Sequence, residues 1–146
     1  MSFMDAKLTS LKALWEAKRQ ERPMPSRKDF GIQELKPWLG HLALIDVTGE
    51  GIFRLCGTNL MVRFGGDMTG RRVDEVAETH REGISDPITK VCATMAPVSG
   101  TSHIQMHGQQ IIYSELILPL SKDGQGVSML LWASYPMPQR ADHALS

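Results

Sequence analysis

The sequence has few cysteines, no excess of charge of either sign and no long apolar run, and each absence excludes a class of protein. Cys56 and Cys92, the only cysteines among 146 residues, form no Cys-x-x-Cys pair, which excludes a dithiol redox motif and a zinc knuckle. A formal net charge of zero argues against a protein that mainly binds nucleic acid or an anionic membrane. No apolar stretch approaches the roughly 18 residues of a membrane span.

Sequence motifs of catalysis and export are also missing. The chain contains no GxGxxG, GxxxxGK[ST] or GxSxG pattern, so neither a phosphate-binding loop nor a nucleophile elbow is present. Charged residues such as Asp5, Lys7 and Lys12 interrupt the N-terminus, which therefore lacks the apolar core of a signal peptide. The sequence predicts a non-enzymatic, cytoplasmic protein whose length suits one hydrophobic core.

Strand patterns dominate the last third of the chain. Three successive strands are predicted at Val98–His107, Gln110–Leu118 and Val127–Tyr135, and an earlier hairpin at His41–Val47 and Ile52–Gly57. Helical patterns fill the gap between the two groups of strands. This order predicts an α+β fold, a five-stranded antiparallel sheet with helices on one face. Such a sheet usually encloses a pocket, which favours sensing or binding over catalysis.

The last predicted strand carries large apolar residues on both faces. Leu131 and Tyr135 alternate with Leu130 and Trp132. A strand of this kind is typical of the centre of a sheet that is covered on both sides. The middle helices would form one cover, and the N-terminal helix or a partner subunit would form the other.

An amphipathic helix is predicted at Met4–Glu21, before two prolines at positions 23 and 25. Its apolar stripe is formed by Met4, Leu8, Leu11, Leu14 and Trp15. The stripe either packs on the chain's own domain or pairs with a second copy, so these residues are the predicted dimer or partner interface. The predicted organisation is a helix and linker at 1–25, a domain at 26–136 and a loose tail at 137–146.

Helices predicted at Asn59–Phe64, at Val73–Ile84 and after Asp86-Pro87 would cover the sheet. The predicted lining of the space beneath them is mainly apolar and consists of Met61, Phe64, Met68, Val76, His80, Ile88, Val91, Met95, Ile104, Met106, Ile112 and Met129. Core filling is the alternative role for the methionines. His80 is either a haem ligand or pH-sensitive switch, or a partly exposed histidine that binds nothing.

Other titratable residues give weaker indications. On a strand, His103 and His107 lie about 13 Å apart, too far to ligate one metal ion, so they are predicted to flank the end of a hairpin. Glu115 is predicted to lie at an edge or face solvent, since a general base would need a partner that the sequence does not reveal.

Four segments in order carry a family resemblance: Arg22–Asp29, Leu42–Val47, Phe53–Thr58 and Asp67–Arg71. They resemble the proline-serine-arginine-aspartate entry segment, the first two strands and the threonine-glycine-arginine turn of stand-alone bacterial PAS-type domains. The resemblance covers roughly Leu11–Tyr135. It implies a five-stranded antiparallel PAS sheet with a flanking N-terminal helix, frequent homodimerisation and a sensory or regulatory role.

The same resemblance implies no shared catalytic residue and no single shared ligand, and the sequence requires no cofactor. The chain would act as a sensor or adaptor without its own output domain, through a signalling partner. The residues that carry the motif are Arg54, Gly57, Thr69, Gly70 and Arg71. The two glycines permit backbone geometries that a side chain would hinder. Arg54 is expected to pair with Asp46 or Asp74, or with an anion.

Thr69 and Arg71 either cap and pair locally or bind an anion through their turn.

Two functions other than a sensory role remain open for the protein. One is an interaction module with a filled core and no ligand. The other is a small enzyme that uses His80 or Glu115, for which the spacing provides no catalytic set.

Overall fold

A five-stranded antiparallel sheet forms the centre of the molecule. The computed structural model describes residues 3–80 and 85–137, and all structural statements concern these residues. Within these ranges the helices are α1 (Phe3–Arg19), α2 (Ile32–Leu35), α3 (Thr58–Phe64), α4 (Val73–His80) and α5 (Ser85–Thr94). The strands are β1 (Leu42–Asp46), β2 (Ile52–Cys56), β3 (Val98–Met106), β4 (Gln109–Leu120) and β5 (Met129–Pro136). Their order across the sheet is β2-β1-β5-β4-β3.

The central strand β5 is covered on both faces, as its alternating apolar residues predict. Leu131 and Ala133 belong to a buried cluster on the side of α1. Leu130 and Trp132 belong to a second buried cluster on the side of α3, α4 and α5. The sheet therefore separates two hydrophobic layers, and we call these its α1 face and its helical face.

Helix α1 packs on the chain's own sheet. The side chains of Leu11 and Trp15 are fully buried in the cluster on the α1 face, and Leu8 and Leu14 pack against it half-buried. The Nε1–H of Trp15 donates a hydrogen bond to the carbonyl oxygen of Pro119 on β4, at 2.8 Å. The sequence left open whether the stripe packs on the chain's own domain or pairs with a second copy, and in the structure it packs on the chain's own sheet. The side chain of Met4 lies outside the described residues.

The segment between α1 and β1 contains only short helical turns. Two 3₁₀ turns, Arg27–Asp29 and Lys36–His41, flank α2. The carboxylate of Asp29 accepts the backbone N–H of Ser26 at 2.8 Å, and this bond is the first cause of its lowered pKa. Trp38 Nε1 donates to the carbonyl oxygen of Lys7 at 2.8 Å, which ties this segment back to α1.

A bulge in β2 separates Phe53 and Leu55, which regular strand alternation would place on one face of the sheet. Leu44 pairs with Leu55 while the next residue, Ile45, pairs with Phe53, so Arg54 is the extra residue. Phe53 consequently packs on the helical face and Leu55 on the α1 face. Arg54 lies 3.5 Å from Asp46 Oδ2, so its predicted ion pair is present.

The two motif glycines meet different requirements. A Cβ atom on Gly57 would lie 2.3 Å from the carbonyl oxygen of Gly40 and 2.4 Å from that of Leu39, so no side chain fits. Gly70 adopts a φ of +87°, in the left-handed region that favours glycine. Thr69 donates to Asp67 at 2.6 Å, which is the local capping that the sequence offered as one role.

Some predictions concern residues outside the described part of the chain. The end of the second middle helix at Ile84 and nearly all of the tail at 137–146 are among them. Among the described residues, no helix combines the length and the apolar character that crossing a bilayer requires.

Candidate functional site

Three aromatic side chains pack together between the helical face of the sheet and α3. The ring of Phe53 lies 5.9 Å from that of Phe64 and 6.4 Å from that of Trp132, and the last two lie 5.8 Å apart. All three side chains are buried. This packing occupies the place where the sequence predicts an apolar pocket.

A buried arginine extends this aromatic cluster. Arg63 on α3 has a fully buried side chain, and its Nη1 lies 2.5 Å from Oε2 of Glu115 on β4. The same nitrogen donates to Ser134 Oγ on β5 at 2.7 Å. Ser102 on β3 donates its hydroxyl to the other carboxylate oxygen of Glu115. These contacts join one helix to three neighbouring strands, and we call the four residues the Arg63 cluster.

Aromatic rings surround the guanidinium of Arg63. Its Cζ lies 4.5 Å from the ring centre of Tyr113, 5.1 Å from that of Trp132 and 5.4 Å from that of Phe64. Burying an isolated charge is very costly unless opposite charge and hydrogen bonds compensate it. Here the carboxylate, the hydroxyl and the π faces supply that compensation.

The sequence prediction for Glu115 was wrong, since this residue is buried rather than facing solvent. A signal was present in the strand alternation, because Glu115 lies between Tyr113 and Ile117 on the same face of β4, and both are buried. Arg63 was missed altogether. The sequence of the seven-residue helix α3 does not show that Arg63 is buried or which carboxylate would neutralise its charge.

An open cavity of about 490 Å³ lies beside the turn between β1 and β2, against α4 and α5. We call it the hairpin cavity. It is lined by Val47, Gly49, Glu50, Gly51, Val73, Asp74, Ile88, Thr89, Cys92 and Ala93. Its walls are mainly aliphatic, and Glu50 at the rim lies 3.7 Å from Nη1 of Arg72.

Both cysteines are free thiols. Cys56 is buried and Cys92 is half-buried at the wall of the hairpin cavity. Burial raises the pKa of each thiol, because the thiolate would lose its hydration. Both therefore remain protonated near neutral pH, and the thiol of Cys92 contributes a small apolar surface to the cavity.

The predicted lining residues are distributed over several places. Phe64, Met68, Val76 and Val91 are buried on the helical face, with Met61 and Ile88 half-buried beside them. Of the twelve, Ile88 lines the hairpin cavity.

The remaining lining candidates lie elsewhere. Met95 is exposed, while Ile104 and Met106 are half-buried on β3. Met129 packs on the α1 face, and Ile112 lies on that face by strand alternation. The side chain of His80 falls outside the described residues.

The two histidines of the β3–β4 hairpin occupy different positions, and of the two only His107 lies at the end of the hairpin as the sequence predicts. His103 is exposed on β3, and His107 forms the turn to β4 with a φ of 52°. In the described part of the chain, no three His, Cys, Asp or Glu side chains come together as a metal site would require.

This sheet order, with helices between the second and third strands that cover one face, defines a small α+β domain. The family model described as a PAS domain matches residues 4–132, and the chain belongs to this family. PAS domains are generally sensory and signalling modules without catalytic activity.

Solved structures have the same fold at low sequence identity. A light-oxygen-voltage domain studied with a flavin analogue is 10% identical, with a TM-score of 0.57 over 78% of this chain and 89% of that one. The PAS domain of Bordetella pertussis BvgS is 15% identical, with a TM-score of 0.51 over 71% and 79%.

A third similar structure is the light-oxygen-voltage domain of the Erythrobacter litoralis EL346 blue-light-activated histidine kinase. It is 13% identical, with a TM-score of 0.52 over 67% of this chain and 95% of that one. At these identities the likeness shows the fold alone. No curated protein sequence matches the chain.

Proposed function

We propose that this protein is a non-enzymatic regulatory domain in which a small ligand in the hairpin cavity changes the docking of α1, and that α1 passes the signal to a partner protein. The observation that carries the proposal is the position of α1. Its leucines and Trp15 pack on the face of the sheet opposite to the helices that border the cavity.

A physical route connects the two faces. Val47, the residue that follows β1, lines the hairpin cavity, and β1 pairs with β5 along its whole length. Leu42 and Leu44 of β1 point to the α1 face, while Ala43 and Ile45 point to the helical face. A ligand that shifts the hairpin would therefore move residues that pack near α1. Such a ligand selects one of two arrangements by its difference in affinity for them.

The lining of the hairpin cavity supports a small, largely apolar ligand. Val47, Val73 and Ile88 provide aliphatic walls, and the volume lies within the range of pockets that hold small molecules. The aromatic filling of the interior disfavours a ligand as large as a flavin inside the helical face. A non-catalytic role is supported by Glu115, whose carboxylate is already held by Arg63 and Ser102.

Native mass spectrometry of gently purified protein tests for such a ligand, and a thermal-shift screen of small apolar compounds tests its site. We expect a compound to raise the melting temperature, because binding to the native state stabilises it. The cavity-blocking variant Ala93→Trp should abolish the shift, whereas Val62→Trp, on an exposed face of α3, should retain it. An equal shift in both variants would place the ligand elsewhere.

A second candidate function is an adaptor that binds a partner and no ligand. The close packing of Phe53, Phe64 and Trp132 favours it, because such an interior needs no ligand to fill it. A bare native mass, together with no stabilising compound, would favour this candidate. In either case the proposal places the protein in the cytoplasm, as a homodimer that acts through a signalling partner.

A further inference from the structure

The two edge strands of the sheet, β2 and β3, differ in how far their outer sides are already hydrogen-bonded to other backbone. The outer edge of β2 is covered by the segment that follows α3, since Phe53 donates to the carbonyl oxygen of Arg71 at 3.0 Å and accepts from Gly70 at 2.7 Å. A further bridge joins Ile52 to Arg72. At the opposite edge lies β3, and within residues 3–80 and 85–137 no strand pairs with its outer side.

Strand β3 also lacks the features that keep edge strands apart. Its nine residues, Val98–Met106, include no proline and no Lys, Arg, Asp or Glu. All nine pair with β4 in unbroken register, so no bulge bends the edge away. Natural edge strands usually carry one of these features, because a long, regular and uncharged edge is a template for another strand.

We propose that β3 pairs antiparallel with β3 of a second copy of this chain, so that the two sheets form one continuous sheet of ten strands. A twofold axis at Ser102, the central residue, places Thr101 opposite His103 of the partner subunit. It also places Val98 opposite Met106 of the partner subunit. On the face that carries Ser99, Thr101, His103 and Gln105, every polar residue then pairs with a polar residue of the second copy. At each end of the strand, the apolar side chains of Val98 and Met106 pair with each other across the interface.

This self-matching pattern favours a second copy over an unrelated extended peptide. An isologous interface requires one surface to complement itself under twofold rotation. The strand does so without bringing like charges together, since it carries no carboxylate or ammonium group. Thr101 and His103 are exposed, so the pairing requires no rearrangement of the monomer. The proposal does not depend on a ligand in the hairpin cavity.

A charge-swap experiment tests the proposed register. One variant carries Thr101→Asp with His103→Asp, and the other carries Thr101→Lys with His103→Lys. Each places two pairs of like charges across the twofold axis, which should weaken self-association about tenfold or more. An equimolar mixture of the two should restore a heterodimer, because each pair then joins opposite charges. The matched control, Ala13→Asp with Val62→Asp, adds two carboxylates to exposed helical positions and should leave the dimer intact.

Sedimentation equilibrium of the wild-type chain and all variants gives the readout, with hydrogen exchange of the β3 amides as a second measurement. We expect a wild-type dimer, two weakened variants, a restored mixture and concentration-dependent protection of β3. A wild-type monomer at all concentrations up to about 1 mM would overturn the proposal. So would a dimer that persists in both charged variants, or protection of β3 by another protein's peptide without self-association.

Discussion

Arg63 and Glu115 form a buried ion pair, with Nη1 and Oε2 2.5 Å apart although the two residues are 52 positions apart in the chain. The pair links α3 to β4. Arg63 also donates a hydrogen bond to Ser134, and Glu115 also accepts one from Ser102. On this side of the sheet, where the sequence predicts an apolar pocket, the chain's own paired charges are therefore buried. Helix α3 is therefore part of the hydrophobic core and does not move independently of the sheet.

Removing one member of the Arg63–Glu115 pair should be more damaging than removing both. Arg63→Met or Glu115→Leu alone leaves an uncompensated buried charge, and we expect a loss of about 3–5 kcal/mol in the free energy of unfolding. The double variant should recover a large part of this loss. Urea denaturation of the three variants forms a double-mutant cycle. Losses that simply add would show that the two charges do not compensate each other.

Weakening the attachment of α1 should loosen that helix before the sheet unfolds. Trp15→Phe removes the N–H that Pro119 accepts and leaves a buried carbonyl without its donor, at a cost of about 1–3 kcal/mol. Hydrogen exchange of residues 3–19 should accelerate more than that of β5. Leu14→Ala, at a half-buried position on the same helix, should have a smaller effect. Equal acceleration in both regions would mean that α1 opens only with the whole domain.

The motif glycine Gly57 should not tolerate a side chain. In Gly57→Ala the new Cβ would lie within 2.4 Å of two carbonyl oxygens, of Gly40 and Leu39, so the backbone must move and stability should fall by about 3 kcal/mol or more. The matched control is Gly49→Ala, in the β1–β2 turn, where nothing lies within 4 Å of the added atom. Thermal melts of the two variants provide the comparison, and similar melting temperatures would contradict the close approach at Gly57.

Alkaline pH should destabilise the protein through Tyr135. Burial raises the pKa of this phenol from 10 to about 12, because the phenolate would lose its hydration. The folded state therefore retains the proton, and the associated stability is complete below pH 10 and is lost as pH rises toward 12. We expect the free energy of unfolding to fall by about 1 kcal/mol between pH 9 and pH 11.

The variant Tyr135→Phe separates this effect from other alkaline titrations. Within the described residues its hydroxyl has no hydrogen-bond partner, so removing it should leave stability at pH 7 unchanged or slightly higher. The decline between pH 9 and pH 11 should become smaller by the same 1 kcal/mol or so. An unchanged decline would assign the alkaline loss to another group.

The sheet could be predicted from the sequence because its signals are local. Alternation in β5, the glycine-containing turns and the breaks around the middle helices each depend on neighbours in the chain. These signals predicted the five strands and the burial of both faces of β5, on which Leu131 and Trp132 lie on opposite sides. Leu11 and Trp15 were likewise identified as a stripe that must be buried. The periodicity of one helix does not reveal which surface buries these residues, because that depends on tertiary packing.

The candidate site was harder to predict because its determinants are far apart in sequence. The bulge at Arg54 places Phe53 and Leu55 on opposite faces of the sheet, and a single extra residue of this kind leaves no signal in the alternation of the sequence. Arg63 and Glu115 meet only after α3 folds onto the sheet. The sequence left two roles open for the methionines, lining a pocket or filling the core, and Met68 is buried in a packed core.

The most direct test of the account is whether a group placed in the hairpin cavity changes the docking of α1. In a Cys56→Ala background, Cys92 can be alkylated to act as a covalent substitute for a ligand, and hydrogen exchange of residues 3–19 can then be measured. The control moves the thiol to an exposed position on the same helix with Cys92→Ala and Thr94→Cys. We predict altered exchange of α1 only when the modified thiol lies at position 92, and identical α1 exchange with and without that modification would contradict the account.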